Sequence, residues 1–109
     1  MRDLTTRERQ ILEIMLRQLP VAEPELRQQL ATAKVVPIDD EGSLRLHAAS
    51  PLSVRPVERV PVTAIFEDAD KIPIYLLLHV IEGRLAELEI YKADGSEIVI
   101  PPTPENLHF

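Results

Sequence analysis

The sequence predicts an α+β domain in which an N-terminal helical hairpin packs on one face of an antiparallel meander sheet of four to six strands. Apolar residues in the first third of the chain recur at helical spacing, and from Lys34 onward they recur at every second position. Turn-forming glycine, aspartate and proline residues separate the alternating runs. The chain of 109 residues has the usual size of one domain, so we expect a single unit over 1–109.

The first helix is predicted over residues 6–19. Thr5 and Glu8 have the spacing of a capping box, in which each side chain bonds the backbone N–H of the other residue. The apolar residues that follow lie on one stripe at helical spacing: Ile11, Leu12, Met15, Leu16 and Leu19. Pro20 ends the helix because its ring cannot continue the hydrogen-bond ladder.

The second helix is predicted over residues 24–32, which completes the hairpin. Pro24 suits its first position, where the missing N–H leaves no helical bond unmade. The apolar residues of this segment share one face: Leu26, Leu30 and Ala33. We expect the apolar faces of both helices to pack against the sheet.

Alternating apolar residues predict strands at about 34–38, 43–48, 60–66, 72–80, 84–92 and 97–100. Pro37 places the first strand at a sheet edge, since proline cannot donate to a ladder. The acidic segment 39–42 is predicted to form the next turn. Residues 48–59, which include Pro51 and Pro56, are expected to form a surface loop.

Even-numbered residues of the last long strands are expected to form the interior of the domain. A three-residue loop at 81–83, with Gly83 in the left-handed conformation, makes the inward cross-strand pairs apolar. The pairing is then Val80 with Arg84, Leu78 with Ala86, Leu76 with Leu88, and Ile74 with Ile90. A two-residue loop at 82–83 would set Leu78 against Glu87, so burial favours the longer loop.

The acidic charge of the chain lies in its predicted sheet. The formal net charge is −6; residues 1–34 hold six basic and five acidic side chains, whereas residues 35–109 hold six and thirteen. A negative surface repels phosphate backbones, which disfavours nucleic acid as a partner. The same surface would suit a basic protein partner.

The composition also bears on the cellular compartment. The sequence has no cysteine, which excludes disulfides, thiolate metal ligands and cysteine nucleophiles, and fits a reducing compartment. The charged first residues lead into an amphipathic segment and lack the apolar core of a signal peptide. The longest apolar run, at 72–81, is too short to span a bilayer. We therefore expect a cytoplasmic protein with no membrane partner.

Three segments resemble those of a family of small bacterial proteins of unknown function. They are Arg-Asp-Leu-Thr-Thr-Arg-Glu at 2–8, Pro-Ile-Asp-Asp-Glu-Gly-Ser-Leu at 37–44, and Gly-Arg-Leu-Ala-Glu-Leu-Glu-Ile-Tyr-Lys at 83–92. The family pattern has an Asp-Asp-Gly turn, from which this chain departs because Glu41 follows Asp40. The resemblance implies an α+β domain without an assigned activity. Small acidic proteins of this type are also similar to toxin-immunity proteins.

No catalytic residue, cofactor site or metal site is predicted. His47, His79 and His108 lack metal-ligand spacing relative to one another. The three glycines fall in predicted turns, so they cannot form a loop that cradles phosphate. Neighbouring carboxylates at 39–41 and 68–70 are interpreted as turn residues, because aspartate is common in turns.

Odd-numbered side chains of two adjacent strands form a candidate partner surface. Its residues are Tyr75, Leu77, His79, Leu85, Glu87, Glu89 and Tyr91. If the helices cover only the other face, these residues leave an exposed apolar and acidic patch of the kind that binds partners. The spacing of the two glutamates along a strand would permit an acid–base pair, but an outward, solvated strand face is the default interpretation. Alternatively, the loop at 48–59 folds over this surface.

The sequence leaves three functional hypotheses open. The first is a non-enzymatic interaction domain, for example an immunity-like protein, that presents an acidic sheet face to a basic protein. The second is a small ligand-binding protein or hydrolase-like enzyme with a pocket between the helices and the sheet. The third is self-association through edge-to-edge pairing of the last strands.

Overall fold

The computed structural model describes residues 1–20, 22–48 and 58–109. Its helices are α1 (Thr6–Leu16) and α2 (Glu23–Thr32), and a short 3-10 turn lies at Pro104–Asn106. Its strands are β1 (Arg2–Asp3), β2 (Lys34–Pro37), β3 (Leu44–His47), β4 (Val62–Glu67), β5 (Pro73–Ile81) and β6 (Arg84–Lys92). The α+β class is confirmed, with two helices packed on a six-stranded antiparallel sheet. The predicted loop at 48–59 falls largely on residues 49–57, which lie outside the described residues.

The start of α1 is a capping box. The Thr5 hydroxyl accepts a hydrogen bond from the Glu8 N–H at 3.1 Å, and the Glu8 carboxylate accepts one from the Thr5 N–H at 2.8 Å. The helix ends at Leu16, earlier than predicted, but Leu19 is still buried in the turn that follows. None of the helices in the described ranges has the length and apolar character needed to cross a membrane.

The strand order is β1-β2-β3-β6-β5-β4. A hairpin of β2 and β3, extended by β1, is therefore joined to a meander of β4, β5 and β6 through pairing of β3 with β6. Because β6 lies between β3 and β5, it is an interior strand of the sheet. The edge-to-edge self-association predicted for the last strands stays a prediction.

The even-numbered side of the meander forms the core, as predicted. Its buried residues are Val62, Ala64, Phe66, Ile74, Leu76, Leu78, Val80, Leu88 and Ile90. The helices contribute a matching set: Ile11, Leu12, Met15, Leu16, Leu26 and Leu30. Full burial of such a side chain contributes about 1.5–3 kcal/mol, so this interface holds the helices on one face of the sheet.

The predicted three-residue loop between β5 and β6 is wrong. Glu82 and Gly83 have φ values of 51° and 75°, and they form a two-residue turn that pairs Ile81 with Arg84. Val80 then pairs with Leu85 and His79 with Glu87, which leaves Ala86 as the extra residue of a β-bulge.

The bulge restores apolar pairing in the core beyond the turn. Leu78 lies opposite Leu88 and Leu76 lies opposite Ile90, each two residues further along β6 than predicted. The same insertion changes which side of β6 faces inward near the turn. Leu85 is consequently buried on the inner face, although it was assigned to the outer surface.

The predicted strand at 97–100 does not form. The Asp68 carboxylate instead accepts hydrogen bonds from the N–H groups of Val99 and Ile100, both at 2.9 Å. The Lys92 ammonium bonds Asp68 at 2.9 Å and donates to the Glu97 carbonyl oxygen at 2.9 Å. A buried ion pair therefore satisfies the backbone of this segment in place of a ladder partner.

Burial and hydrogen bonding act in opposite directions on Asp68. Burial alone would raise the pKa of its carboxyl, because the charged form loses solvation. The N–H of Val99, the Lys92 ammonium and the N–H of Ile100 outweigh that effect and hold the pKa well below its ordinary range. For Lys92, burial likewise opposes the charged form, and bonds to Asp70 and Asp68 raise its pKa overall.

At both edges of the sheet, residues that the alternation pattern did not assign to strands pair with a strand. Arg2 and Asp3 form β1, in which Arg2 pairs with Val35. At the opposite edge, Ile65 and His108 exchange backbone hydrogen bonds of 2.8 Å in an isolated bridge. The bridge covers part of the free side of β4 and so protects an exposed edge.

Candidate functional site

Six of the seven residues predicted for the partner surface lie together on the outer face of the sheet. The antiparallel register sets Tyr75 opposite Tyr91, Leu77 opposite Glu89, and His79 opposite Glu87. Leu85 is the exception, since the bulge turns it into the core. The alternation of side chains along each strand predicts which residues lie on the outer face, whereas the side on which Leu85 lies depends on the length of the turn.

Two tyrosines form the aromatic part of this face. The rings of Tyr75 and Tyr91 have centroids 5.3 Å apart and are inclined by 31°. Ile65 lies opposite Tyr75 on β4, and the exposed fractions of Ile65 and Tyr91 are both 39%. Ile65 was missed from the sequence, although the alternation of β4 places it on the same face as Thr63 and Glu67. We call Ile65, Tyr75, Leu77 and Tyr91 the aromatic patch.

A cluster of titratable groups lies beside the aromatic patch. The His79 Nε2 atom is 2.9 Å from a carboxylate oxygen of Glu89, and their side chains are 14% and 41% exposed. One ligand atom from each of His79, Glu87 and Glu89 lies within 4.8 Å of the others. The pairing of His79 with Glu87 explains this, because Glu89 is then the diagonal neighbour on the same face. We call these three residues the His/Glu cluster.

The His79 ring is oriented by a bond at one of its two nitrogens. Nε2 bonds Glu89, and in a neutral imidazole this bond requires the proton on Nε2. The Nδ1 atom is buried and has no hydrogen-bond partner within the described part of the chain. The hydrogen bond thus ties the ring of this β5 residue to β6.

At β3 the outer face carries a basic side chain next to the acidic side chains of β6. Arg45 pairs with Glu87 in register across the β3–β6 ladder. Beyond it, at the end of the sheet that carries the β5–β6 turn, lies an open groove of about 530 Å³. Its polar lining consists of three arginines, two histidines and two glutamates: Arg45, Arg59, Arg84, His47, His79, Glu82 and Glu87. The groove therefore contains two members of the His/Glu cluster, and the aromatic patch lies on the other side of that cluster.

The groove does not coincide with the pocket predicted between helices and sheet. Within the described residues, that interface is filled by fully buried apolar side chains, among them Leu12, Leu16, Leu26 and Leu76. Apolar packing therefore occupies the described part of this interface, where the prediction placed a pocket with convergent polar groups. The alternative prediction, that the loop at 48–59 covers the outer face, concerns residues 49–57 and lies outside the described residues.

The outer face combines aromatic and acidic side chains. Aromatic side chains supply large contact area, and the nearby carboxylates can accept charge-assisted hydrogen bonds. The face is also free of the two helices, which pack through their buried residues on the even-numbered side of the sheet.

Comparison with known proteins places the chain in one family. A family model described as "Domain of unknown function (DUF6984)" matches residues 1–102. Searches of the curated proteins and of the solved structures find no match.

Proposed function

The chain belongs to the family of the Domain of unknown function (DUF6984), and we propose that it acts as a non-enzymatic interaction domain whose outer sheet face receives a basic segment of a partner protein. The observation that carries the proposal is the aromatic patch, which is partly exposed on the face opposite the helices. An aromatic cluster rimmed by charged residues is typical of a protein interface.

The charge next to the aromatic patch favours a basic partner. Glu87 and Glu89 are half-buried beside it, and Glu67 is exposed at the end of β4 on the same face. A guanidinium group could lie over a tyrosine ring and reach a carboxylate, which combines a cation–π contact with a charge-assisted hydrogen bond. The overall charge of −6 would attract such a partner over longer distances.

An immunity-like role is one form of this function, in which the basic partner is a toxin. A cytoplasmic location is part of the same proposal and is supported by the absence of cysteine. Binding at one open face of a sheet would leave the helices, and hence the core, unchanged.

Affinity capture with matched surface variants tests the proposal. Wild-type protein and the double variant Tyr91→Ser/Glu89→Gln are immobilised and exposed to a lysate of the source cells at low and high salt. The control is Val99→Ser/Glu105→Gln, which makes the same kinds of change at exposed sites outside the outer face.

We expect a stoichiometric partner with a basic surface that is retained by the wild type and the control but lost by the double variant and at high salt. Capture that the double variant leaves unchanged would contradict the proposal. So would a strictly monomeric wild type that retains no stoichiometric partner. Dimerisation that is lost in the double variant would instead identify a second copy of the chain as the occupant.

Small-anion binding is a second candidate function, favoured by the groove. Three arginines line it beside Glu82 and Glu87, and a guanidinium group can bind two phosphate or carboxylate oxygens at once. Titration with inorganic phosphate, followed by NMR, would shift the amide signals of β3 and the β5–β6 turn. Arg84→Gln should weaken this effect, whereas Arg17→Gln on α1 should not. Unchanged spectra at millimolar phosphate would exclude this function for phosphate.

A further inference from the structure

We propose that the His/Glu cluster of His79, Glu87 and Glu89 is a binding site for a divalent transition-metal ion, with Zn²⁺ as the probe. The proposal does not depend on the docking function, because it concerns the isolated chain. It assigns a ligand to residues that the sequence predicted only as part of a partner surface.

The geometry of the cluster is close to what a small divalent ion requires. Zinc–ligand bonds of about 2.0–2.2 Å in a tetrahedral site separate the ligand atoms by roughly 3.3 Å. The His79 Nε2 atom and the Glu89 oxygen are 2.9 Å apart, and all three ligand atoms lie within 4.8 Å of one another.

Glu87 distinguishes this arrangement from a simple histidine–glutamate hydrogen bond. Its carboxylate forms no ion pair or hydrogen bond within residues 1–20, 22–48 and 58–109, yet it lies beside a second carboxylate. Two carboxylates held close together repel each other, and a shared cation relieves that repulsion. The bulge at Ala86 creates this juxtaposition, because it sets Glu87 opposite His79, and bulges often re-aim side chains near functional sites.

The donor set determines the class of ion. One imidazole nitrogen and two carboxylate oxygens suit zinc and other borderline divalent ions, and their combined charge of −2 neutralises the ion when His79 is neutral. Coordination through Nε2 replaces its hydrogen bond to Glu89, so the neutral ring then carries its proton on Nδ1. Three protein ligands on an outer sheet face leave a coordination position open, unlike the four protein ligands of a closed structural site. The neighbouring positive charge of Arg45 opposes the ion, so the affinity should be lower than that of a closed site.

Sequence reasoning missed the cluster because it compared the three histidines only with one another. The usable signal was a histidine in one strand and two glutamates at alternate positions in the next strand, joined by a tight turn. Recognising it required the bulged register, which the apolar pattern did not predict.

Isothermal titration of the untagged protein with ZnCl₂ tests the site, together with the ¹⁵N chemical shifts of the histidine rings. The site variants are His79→Gln and Glu87→Gln, and the matched controls are His108→Gln and Glu105→Gln, both at exposed positions outside the cluster. Thermal unfolding of each variant checks that the fold is retained. Glu87→Gln is the decisive change, since Glu87 does not hydrogen-bond His79 and its loss leaves the His79–Glu89 bond in place.

We expect one zinc ion per chain, a change in the His79 ring nitrogen signals, and affinity lowered about tenfold or more by either site variant but not by the controls. Absence of zinc binding at millimolar concentration would overturn the proposal. Binding that Glu87→Gln does not weaken would also overturn it, because the His79–Glu89 pair would then be only a structural contact. Zinc binding without partner capture would support this proposal and contradict the docking function. Partner capture without zinc binding would do the opposite.

Discussion

Gln29 is a buried polar residue of α2 that binds the backbone of the β5–β6 turn with both ends of its side chain. Its amide nitrogen donates to the Gly83 carbonyl oxygen at 2.9 Å, and its amide oxygen accepts from the Leu85 N–H at 3.0 Å. The turn cannot satisfy these groups with a ladder partner, since the bulge interrupts the register here. One residue therefore ties the second helix to the turn that sets the register of the sheet.

Replacement of Gln29 by alanine should destabilise the protein. The Leu85 N–H and the Gly83 carbonyl would be left without partners in a buried site, which costs about 1–3 kcal/mol for each unsatisfied group. Gln28→Ala is the matched control, because Gln28 is the exposed neighbour on the same helix. Urea unfolding should show a clearly lower free energy of unfolding for Gln29→Ala and almost no change for Gln28→Ala. Equal stabilities would contradict the structural role of Gln29.

At the scale of the element, the β5–β6 turn has a less favourable sequence than its backbone conformation would permit. Two-residue turns with positive φ at both central positions prefer Asn-Gly, because asparagine tolerates the left-handed conformation better than most residues. Glu82 occupies the first of these positions with φ of 51°. The Glu-Gly pair is therefore a weak turn signal, which is one reason why the loop length was predicted wrongly.

Glu82→Asn should stabilise the protein by about 0.5 kcal/mol or more, since it relieves part of the left-handed strain. Glu82→Gln is the control at the same position, because it removes the charge and keeps the strain. Thermal and urea unfolding measured in parallel would test this. A gain of equal size in both variants would attribute the effect to charge and contradict the conformational explanation.

Regular elements were predictable wherever one apolar pattern dominated. The capping box and apolar stripe fixed the start of α1, and alternation fixed β5 and β6 because burial of one face leaves no other assignment. The bulge at Ala86 could not be predicted from the alternation of apolar residues. With one inserted residue, a two-residue turn pairs apolar side chains across the strands just as a three-residue turn would. The same insertion explains why Leu85 alone left the predicted surface.

For the whole molecule, strand order was the property that the sequence did not determine. Neighbouring strands in a chain pair by default, yet β3 pairs with β6. Ser43 helps to form this junction, since its hydroxyl accepts from the Ile90 N–H at 2.8 Å and donates to the Ile90 carbonyl at 3.1 Å. A serine before a strand carries no signal for such a contact, so the site residues could be predicted for β5 and β6 but not for β3.

Stability of the whole molecule should fall as the pH drops below about 4. Hydrogen bonding to Arg2 lowers the pKa of Glu8, and the contacts described above lower that of Asp68. Depressed carboxyl pKa values stabilise the native state above the unfolded values of about 4, and the contribution is lost as the pH falls toward the folded values. The free energy of unfolding measured between pH 5 and pH 2 should therefore decrease.

Asp68→Asn should lower the number of protons taken up on acid unfolding by up to about one per chain, because the substituted side chain cannot titrate. The slope of the free energy of unfolding against pH falls accordingly. Asp40→Asn makes the same charge change in the exposed β2–β3 turn and should keep the wild-type slope. Both slopes come from urea unfolding at each pH. An Asp68→Asn slope equal to that of the wild type would show that Asp68 does not contribute to acid unfolding.

The pairing of β3 with β6 spans only Leu44 with Leu88 and Arg45 with Glu87, so the two halves of the sheet meet along a short seam. Local opening begins where few backbone bonds must break together, and this seam is such a place. Because Glu87 belongs to it, an ion or protein that holds Glu87 in place would also clamp the β2–β3 hairpin onto the meander. Occupancy of the outer face would thereby become visible as slower amide exchange in a hairpin that contributes no residue to the His/Glu cluster.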